Sequence, residues 1–231
     1  MSSGKTTLSS ELRDEILRLE GTRKIVVFPR SGPIFTASRQ SPGSLYLVES
    51  GFVKLTWISP SGEEVISRFS GPGDVFGDDI LWRERPRRVT ADALLETVLQ
   101  EISSEAFLRA AAVQPELWRW MAGVFAAREN DLEGRLLLES TRDVEFRILY
   151  TLAELASLFR DTAGGCTLPI TQKELASYVG ATRETTSSTL NSIARRGLVR
   201  LGRRLLVLPS LSALEAAVRE RPTKTAASGR V

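Results

Sequence analysis

Apolar residues change their spacing along this chain, and the changes divide it into regions. Residues 9–20 (SSELRDEILRLE) set Leu12, Ile16 and Leu19 three and four apart behind a serine, with Gly21 following. That spacing predicts a short amphipathic helix with a serine cap and a glycine stop. From residue 24 to about 102 the pattern becomes short apolar runs: KIVVF, PIF, SLYLV, FVKLTWI, EVISRF, DVF and RRVTADALLETVLQEI. Turn residues separate them, among them Ser41-Pro42-Gly43, Ser59-Pro60-Ser61-Gly62 and Gly71-Pro72-Gly73. Many short strands at close intervals predict an antiparallel β barrel or jelly roll, with FVKLTWI and EVISRF as its clearest hairpin.

After Ser103 the texture turns helical. Pro115 suits a first helical position, and Leu117, Met121, Val124, Phe125, Leu132 and Leu136 follow it in three- and four-residue steps, with Arg128 interrupting the stripe and Gly134 inside it. About 25 residues make a rod of roughly 37 Å. A rod of that length cannot bury its whole apolar stripe against one domain, which points to a helix shared between subunits; a core helix of one larger domain is the competing expectation. Trp118 and Trp120 fall on different faces of it, one toward the barrel and the other toward a dimer seam or solvent. A further helix is expected over residues 142–160, a loop over 161–165, and a frayed, disordered tail over 221–231. The expected division is a barrel over 1–110, a long dimerisation helix over 111–140 and a third domain over 141–220.

The third domain has the most specific pattern. In ITQKELASYVGATRETTSSTLNSIARRGLV, Thr171 and Glu174 form a capping box that opens a helix burying Leu175, Ala176 and Val179. Gly180 ends it, and Thr182 caps a second helix with Thr186, Leu190, Ile193 and Ala194 inward and Gly197 at its end. Arg183, Glu184, Ser187, Ser188, Asn191 and Arg195 then share the opposite face. Two short helices around a glycine turn match a helix-turn-helix, whose second helix enters the DNA major groove. An arginine there can donate to guanine and a glutamate can accept from cytosine. LVRL, Gly202 and RRLLVL form a hairpin-like wing with Arg200, Arg203 and Arg204 near its tip, suited to phosphates.

Charge supports this assignment. Residues 141–231 hold 14 Lys+Arg against 8 Asp+Glu, whereas residues 1–140 hold 17 against 20, so the overall +3 conceals a basic C-terminal part. The 231 residues contain no histidine and one cysteine, Cys166. Zinc hydrolases, Ser-His-Asp hydrolases and His-ligated haem are thereby disfavoured, as is an iron-sulfur cluster. No metal site and no catalytic constellation emerges, and an enzyme is the least favoured class. The absence of a signal peptide or a long apolar run leads to an expectation of a cytoplasmic protein. Cys166 is expected in a loop, where it could serve as a redox-sensitive thiol.

The helix-turn-helix with its wing resembles the DNA-binding domain of the Crp/Fnr family, the catabolite activator protein type of transcription regulator. SLYLVESGFVKL, the SGEEV hairpin and GPGDVFGDDILW resemble the cyclic-nucleotide-binding fold of that family. The resemblance spans residues from about 24 to 210 and implies an α+β architecture: an N-terminal antiparallel jelly-roll barrel, a long dimerisation helix and a C-terminal winged helix-turn-helix. It also implies a homodimer, a near-palindromic double-stranded operator and contact with RNA polymerase. The DNA-contacting set becomes Thr171, Gln172, Thr182, Arg183, Glu184, Ser187, Ser188, Asn191, Arg195, Arg200, Arg203 and Arg204. Where some family members carry a third reading arginine, this chain has Ser188, which predicts two dependable G·C positions per half-site.

The family's phosphate cassette, glycine-glutamate followed by arginine-serine, falls on Gly77, Asp78, Arg87 and Arg88. Aspartate is one methylene short, and Arg88 would crowd the space of a hydroxyl, which argues against cyclic AMP. Arg83, Arg85, Arg87 and Arg88 then form either a pocket for a small anionic or nucleotide-like effector or a solvated loop paired with Glu84, Asp78 and Asp79. A regulator without an effector and a winged helix that pairs with protein remain the alternatives.

Overall fold

The computed structural model describes residues 9–29, 31–37, 43–60, 62–82, 87–159 and 165–220. The expected tail over 221–231, and Arg83, Glu84 and Arg85, lie outside the described residues. The chain divides into two compact units, one over residues 3–129 and the other built on residues 130–231.

The first unit opens with α1 (Ser10–Leu17), whose cap Ser9 accepts from the Leu12 amide at 3.2 Å. Among the described residues the strands that follow are β1 (Arg23–Val27), β2 (Ser44–Ser50), β3 (Val53–Ile58), β4 (Glu64–Ser70), β5 (Val75–Phe76), β6 (Val89–Ala93) and β7 (Thr97–Ser103). They form two antiparallel sheets of order β1-β7-β2-β5 and β4-β3-β6. The hairpin expected around Pro60 is β3–β4, with Ile58 opposite Glu64.

Strand β2 explains how the core divides. Side chains alternate across a strand, so Tyr46 and Val48 meet Val53, Leu55, Phe76, Ala91 and Leu99 between the sheets. Leu45 and Leu47 face the other way, onto Ile16, Phe107, Ala111, Leu117, Trp120 and Met121 from the helices. Those helices are α2 (Ser104–Val113) and the first part of α3 (Pro115–Thr141), together with α1. Each fully buried side chain of leucine or phenylalanine size contributes on the order of 2 kcal/mol. Both tryptophans pack within this unit: Trp120 is buried near Phe107, and Trp118 is half-buried between Phe107 and Trp82, with ring centres 5.9 and 5.0 Å away.

In the second unit α3 ends at Thr141, and α4 (Val144–Ala156) starts on Asp143, which accepts from the Phe146 amide at 2.8 Å. Strand β8 (Cys166–Leu168), α5 (Gln172–Val179), α6 (Arg183–Arg195), β9 (Arg200–Gly202), β10 (Leu205–Leu208) and α7 (Leu211–Arg219) follow. Helix α4 buries Phe146, Ile148, Leu149, Leu152 and Leu155 against α5, α6 and α7. The loop expected at Cys166 is a strand. Leu168 pairs with Leu206 and Cys166 with Leu208, which makes a three-stranded sheet of order β8-β10-β9. Cys166 is buried, and burial pushes its thiol up to about 11, which leaves little of the reactive thiolate near neutral pH.

Candidate nucleic-acid interface and sensor site

The capping box is complete. Thr171 Oγ1 accepts from the Glu174 amide at 3.1 Å, and Glu174 Oε2 accepts from the Thr171 amide at 2.8 Å. Such caps contribute about 1 kcal/mol each. Leu175, Ala176 and Val179 are buried as expected. Gly180 ends α5 in the left-handed region, at φ 65°. Two residues later Thr182 caps α6 by accepting from the Thr185 amide at 3.1 Å. Thr186, Leu190 and Ile193 face inward, and Ala194 is half-buried.

Arg183, Glu184, Ser188, Asn191 and Arg195 are exposed on the outer face of α6, with Ser187 half-buried beside them. Ser188, Asn191, Ala194 and Arg195 line an open depression of about 630 Å³. Thr182 is exposed, whereas Thr171 and Gln172 are half-buried. In the wing, Arg200 lies on β9 and Arg203 and Arg204 form the turn to β10, all three exposed. Arg204 holds φ 64°, a conformation that costs a non-glycine residue about 1–2 kcal/mol. The basic run is not uniform, because Arg196 donates to Glu145 at 2.7 Å. That acid lies 51 residues away in sequence, and the local pattern carries no signal for it.

At the candidate effector site the structure brings Gly77 and Arg87 together. Gly77 adopts φ 76° before a single 3₁₀ turn over Asp78–Leu81, and Arg87 Nη1 donates to its carbonyl at 2.9 Å. The same nitrogen donates to Asp79 Oδ1 at 2.9 Å, and Nη2 donates to the Ser44 carbonyl. The guanidinium lies 4.1 Å from the centre of the Phe35 ring, which packs with Tyr46 and Phe76. A Cβ at Gly77 would meet Arg87 Nη1 at 2.9 Å, so only glycine permits this closeness. Arg87 pairs with Asp79 as in the solvated-loop expectation, but at 3% exposure it is buried and not solvated. Backbone carbonyls and an aromatic ring make a buried arginine tolerable.

Asp78 turns elsewhere. Its carboxylate accepts from Arg128 Nη1 at 2.7 Å, and Arg128 Nη2 donates to the Val75 carbonyl at 2.6 Å. Burial alone would raise the Asp78 carboxyl, but the charge and hydrogen bond of Arg128, with Arg68 behind it, hold it below its ordinary value. The interruption in the apolar stripe of α3 is thereby explained. Arg88 is exposed, 5.9 Å from the centre of the Trp57 ring. Tyr46 donates to Glu101 at 3.4 Å, and burial, helped by that carboxylate, pushes its hydroxyl up to about 12. Among the described residues no group of three or more His, Cys, Asp or Glu side chains is arranged to hold a metal, and no helix is long and apolar enough to cross a membrane.

An antiparallel two-sheet barrel, a long helix and a winged helix-turn-helix with a basic, polar outer face define a DNA-binding protein of the transcription-regulator class. The family model described as Crp-like helix-turn-helix domain matches residues 135–217, and that described as cyclic nucleotide-binding domain matches residues 25–113. The CRP-like cAMP-activated global transcriptional regulator of Mycobacterium tuberculosis is 33% identical over 80% of this chain and 84% of its own. The cyclic AMP receptor protein of Thermus thermophilus is 32% identical over 76% of this chain and 79% of its own. Among solved structures, a CRP-family transcriptional regulator from Thermus thermophilus superposes with a TM-score of 0.67 at 26% identity, covering 86% of this chain and 97% of that one. FixK2 from Bradyrhizobium japonicum shares the fold at a TM-score of 0.70 and 23% identity, over 84% and 96% of the two chains. The chain belongs to the Crp/Fnr family of transcription regulators; it is a DNA-binding regulator, not an enzyme.

Proposed function

We propose that the protein works as a homodimer that reads a near-palindromic operator in the cytoplasm and controls transcription through contact with RNA polymerase. The outer face of α6 carries this reading, because Arg183, Glu184, Ser188, Asn191 and Arg195 stand exposed on the helix that enters the groove in such domains. Arg183 and Glu184 read G·C pairs at its N-terminal end, and Arg200, Arg203 and Arg204 hold phosphates. The dimer is supported by Leu132, Leu136 and Leu137 of α3, all more than half exposed.

The barrel takes an effector other than cyclic AMP. Two relatives are named for cyclic AMP, and this reading departs from them on one observation. The arginine in the phosphate-binding position already donates to Gly77, Asp79 and Ser44, and Asp78 is held by Arg128. A ligand phosphate would have to displace those acceptors. The same hydrogen bonds favour a second reading, in which no effector is needed and DNA binding is constitutive.

Selection of bound DNA sequences with and without candidate nucleotides and anions tests both. Enrichment of a palindrome with two fixed G·C positions per half-site is expected, unaltered by cyclic AMP. A cyclic AMP-dependent profile would refute the effector assignment, and no enrichment would refute the operator. Thermal shift provides the companion measurement, since a ligand at 100 times its Kd stabilises by about 2.7 kcal/mol.

A further inference from the structure

The C-terminal part of α3 carries two unlike faces. Leu132 and Leu136 are four residues apart, hence stacked on one side, and are 55% and 65% exposed. Arg135 and Glu139 are also four apart, and they reach the helix-turn-helix. Arg135 Nη2 donates to the Tyr178 carbonyl at 3.1 Å, and its guanidinium carbon lies 4.2 Å from the centre of the Tyr178 ring. Tyr178 stands in the last turn of α5, two residues before Gly180. Carbonyls in a last turn lack an intrahelical donor, and a cation there also meets the negative end of the helix dipole. One arginine therefore satisfies an end carbonyl, complements the dipole and stacks on a ring.

Glu139 lies against the turn. Its Oε1 would lie 2.7 Å from a Cβ at Gly180 and stands 3.8 Å from Arg147 Nη1 on α4. Side chains from one short stretch of α3 thus touch the end of α5, the glycine turn and α4. The base-reading face of α6 begins three residues after that turn. None of these interactions involves the outer face of α6.

We infer that Arg135 and Glu139 are positioning residues for operator binding, which clamp the helix-turn-helix to the segment of α3 bearing the exposed leucines, so that the leucine seam sets the spacing of the two recognition helices. This rests on the homodimer proposed above. Once one half-site is bound, the second binds intramolecularly, at an effective concentration set by the stiffness and span of the link. The clamp supplies that stiffness. Loosening it lowers affinity for paired half-sites and leaves each half-site's chemistry intact.

The test uses the full-length protein with Arg135→Met and, from the other side of the interaction, Tyr178→Leu. Binding is read by fluorescence anisotropy on duplexes holding one half-site, two half-sites at the selected spacing, and two half-sites moved one base pair closer or further. Sedimentation and thermal melting check the dimer and the fold of each variant. Affinity for the paired site is expected to fall about tenfold, within the usual range of coupling between sites. The penalty for altered spacing should shrink, while single-site affinity and base preference stay unchanged. Equal losses on single and paired sites would assign the clamp a merely structural role and overturn the inference, as would an unaltered paired-site affinity. If the wild-type protein showed no preference for paired sites, the dimer reading itself would fall and the clamp with it, an outcome visible before any variant is measured.

Discussion

Replacing Arg128 by methionine isolates the energetics of the first unit. Asp78 is about nine-tenths buried and Arg128 about four-fifths, and they are joined at 2.7 Å. Removing one partner of a fully buried pair costs about 3–5 kcal/mol, because the other charge is left unpaired. Partial exposure of Arg128, set against the lost bond to the Val75 carbonyl, brings the expected cost to about 2–3 kcal/mol at pH 7. That corresponds to a melting decrease of about 6–10 °C. All four tryptophans, Trp57, Trp82, Trp118 and Trp120, lie in this unit, so intrinsic tryptophan fluorescence reads its unfolding. The pH dependence gives the sharper test. In the wild type the lowered Asp78 carboxyl contributes stability that is present above the unfolded value of about 3.9 and lost as pH falls through the folded one. In the variant the two largest effects that oppose burial are gone, leaving the weaker ones of Arg68, Arg87 and a backbone hydrogen bond; the carboxyl rises, and protonation relieves the unpaired charge as pH falls. The stability gap between the two proteins should therefore narrow as pH falls toward the ordinary carboxylate value of about 3.9, and Asp78→Asn should rescue the variant in part. A gap that stays constant over that fall, or widens, would refute the reasoning.

Three further outcomes are expected. Arg183→Ala should weaken binding to the preferred operator by about 1–3 kcal/mol and relax one base position in a selected-sequence profile; an unchanged profile would remove Arg183 from base reading. Replacing Arg203 and Arg204 together by alanine should lower affinity on all sequences and reduce the slope of log affinity against log salt by roughly one for each phosphate no longer neutralised; an unchanged slope would show that the wing leaves the phosphates alone. Cys166, buried on β8 with its thiol raised to about 11, should label slowly with a thiol reagent near neutral pH and rapidly only after unfolding. Fast native labelling would contradict that placement.

What is legible in the sequence shares one property, locality. The capping box Thr171–Glu174, the stop at Gly180 and the cap Thr182 each act within four residues, so they announce α5 and α6 directly. The β3–β4 hairpin is equally readable from its turn residues. Features that depend on remote partners are not. Strand β8 is three residues long and exists because β10, beginning at Leu205, offers it an edge far along the chain. Arg128 looks like a flaw in an apolar stripe until Asp78, 50 residues earlier, supplies its partner. Arg87 sits in an arginine-rich run that suggests solvent, yet the Ser44 carbonyl and the Phe35 ring come from distant segments and make its burial possible. Spacing draws attention to Gly77 and Arg87, but the hydrogen bonds that join them are not legible in it.

The wing carries one more consequence. Strand β9 is the outer strand of its sheet, and an outer strand presents unpaired backbone groups that can template pairing with another chain. Exposed arginines at positions 200, 203 and 204 line that edge and its turn, so two wings meeting in free solution repel each other. The charge suited to phosphate therefore also keeps unbound copies of the protein from zipping edge to edge, and neutralising it should lower solubility along with affinity.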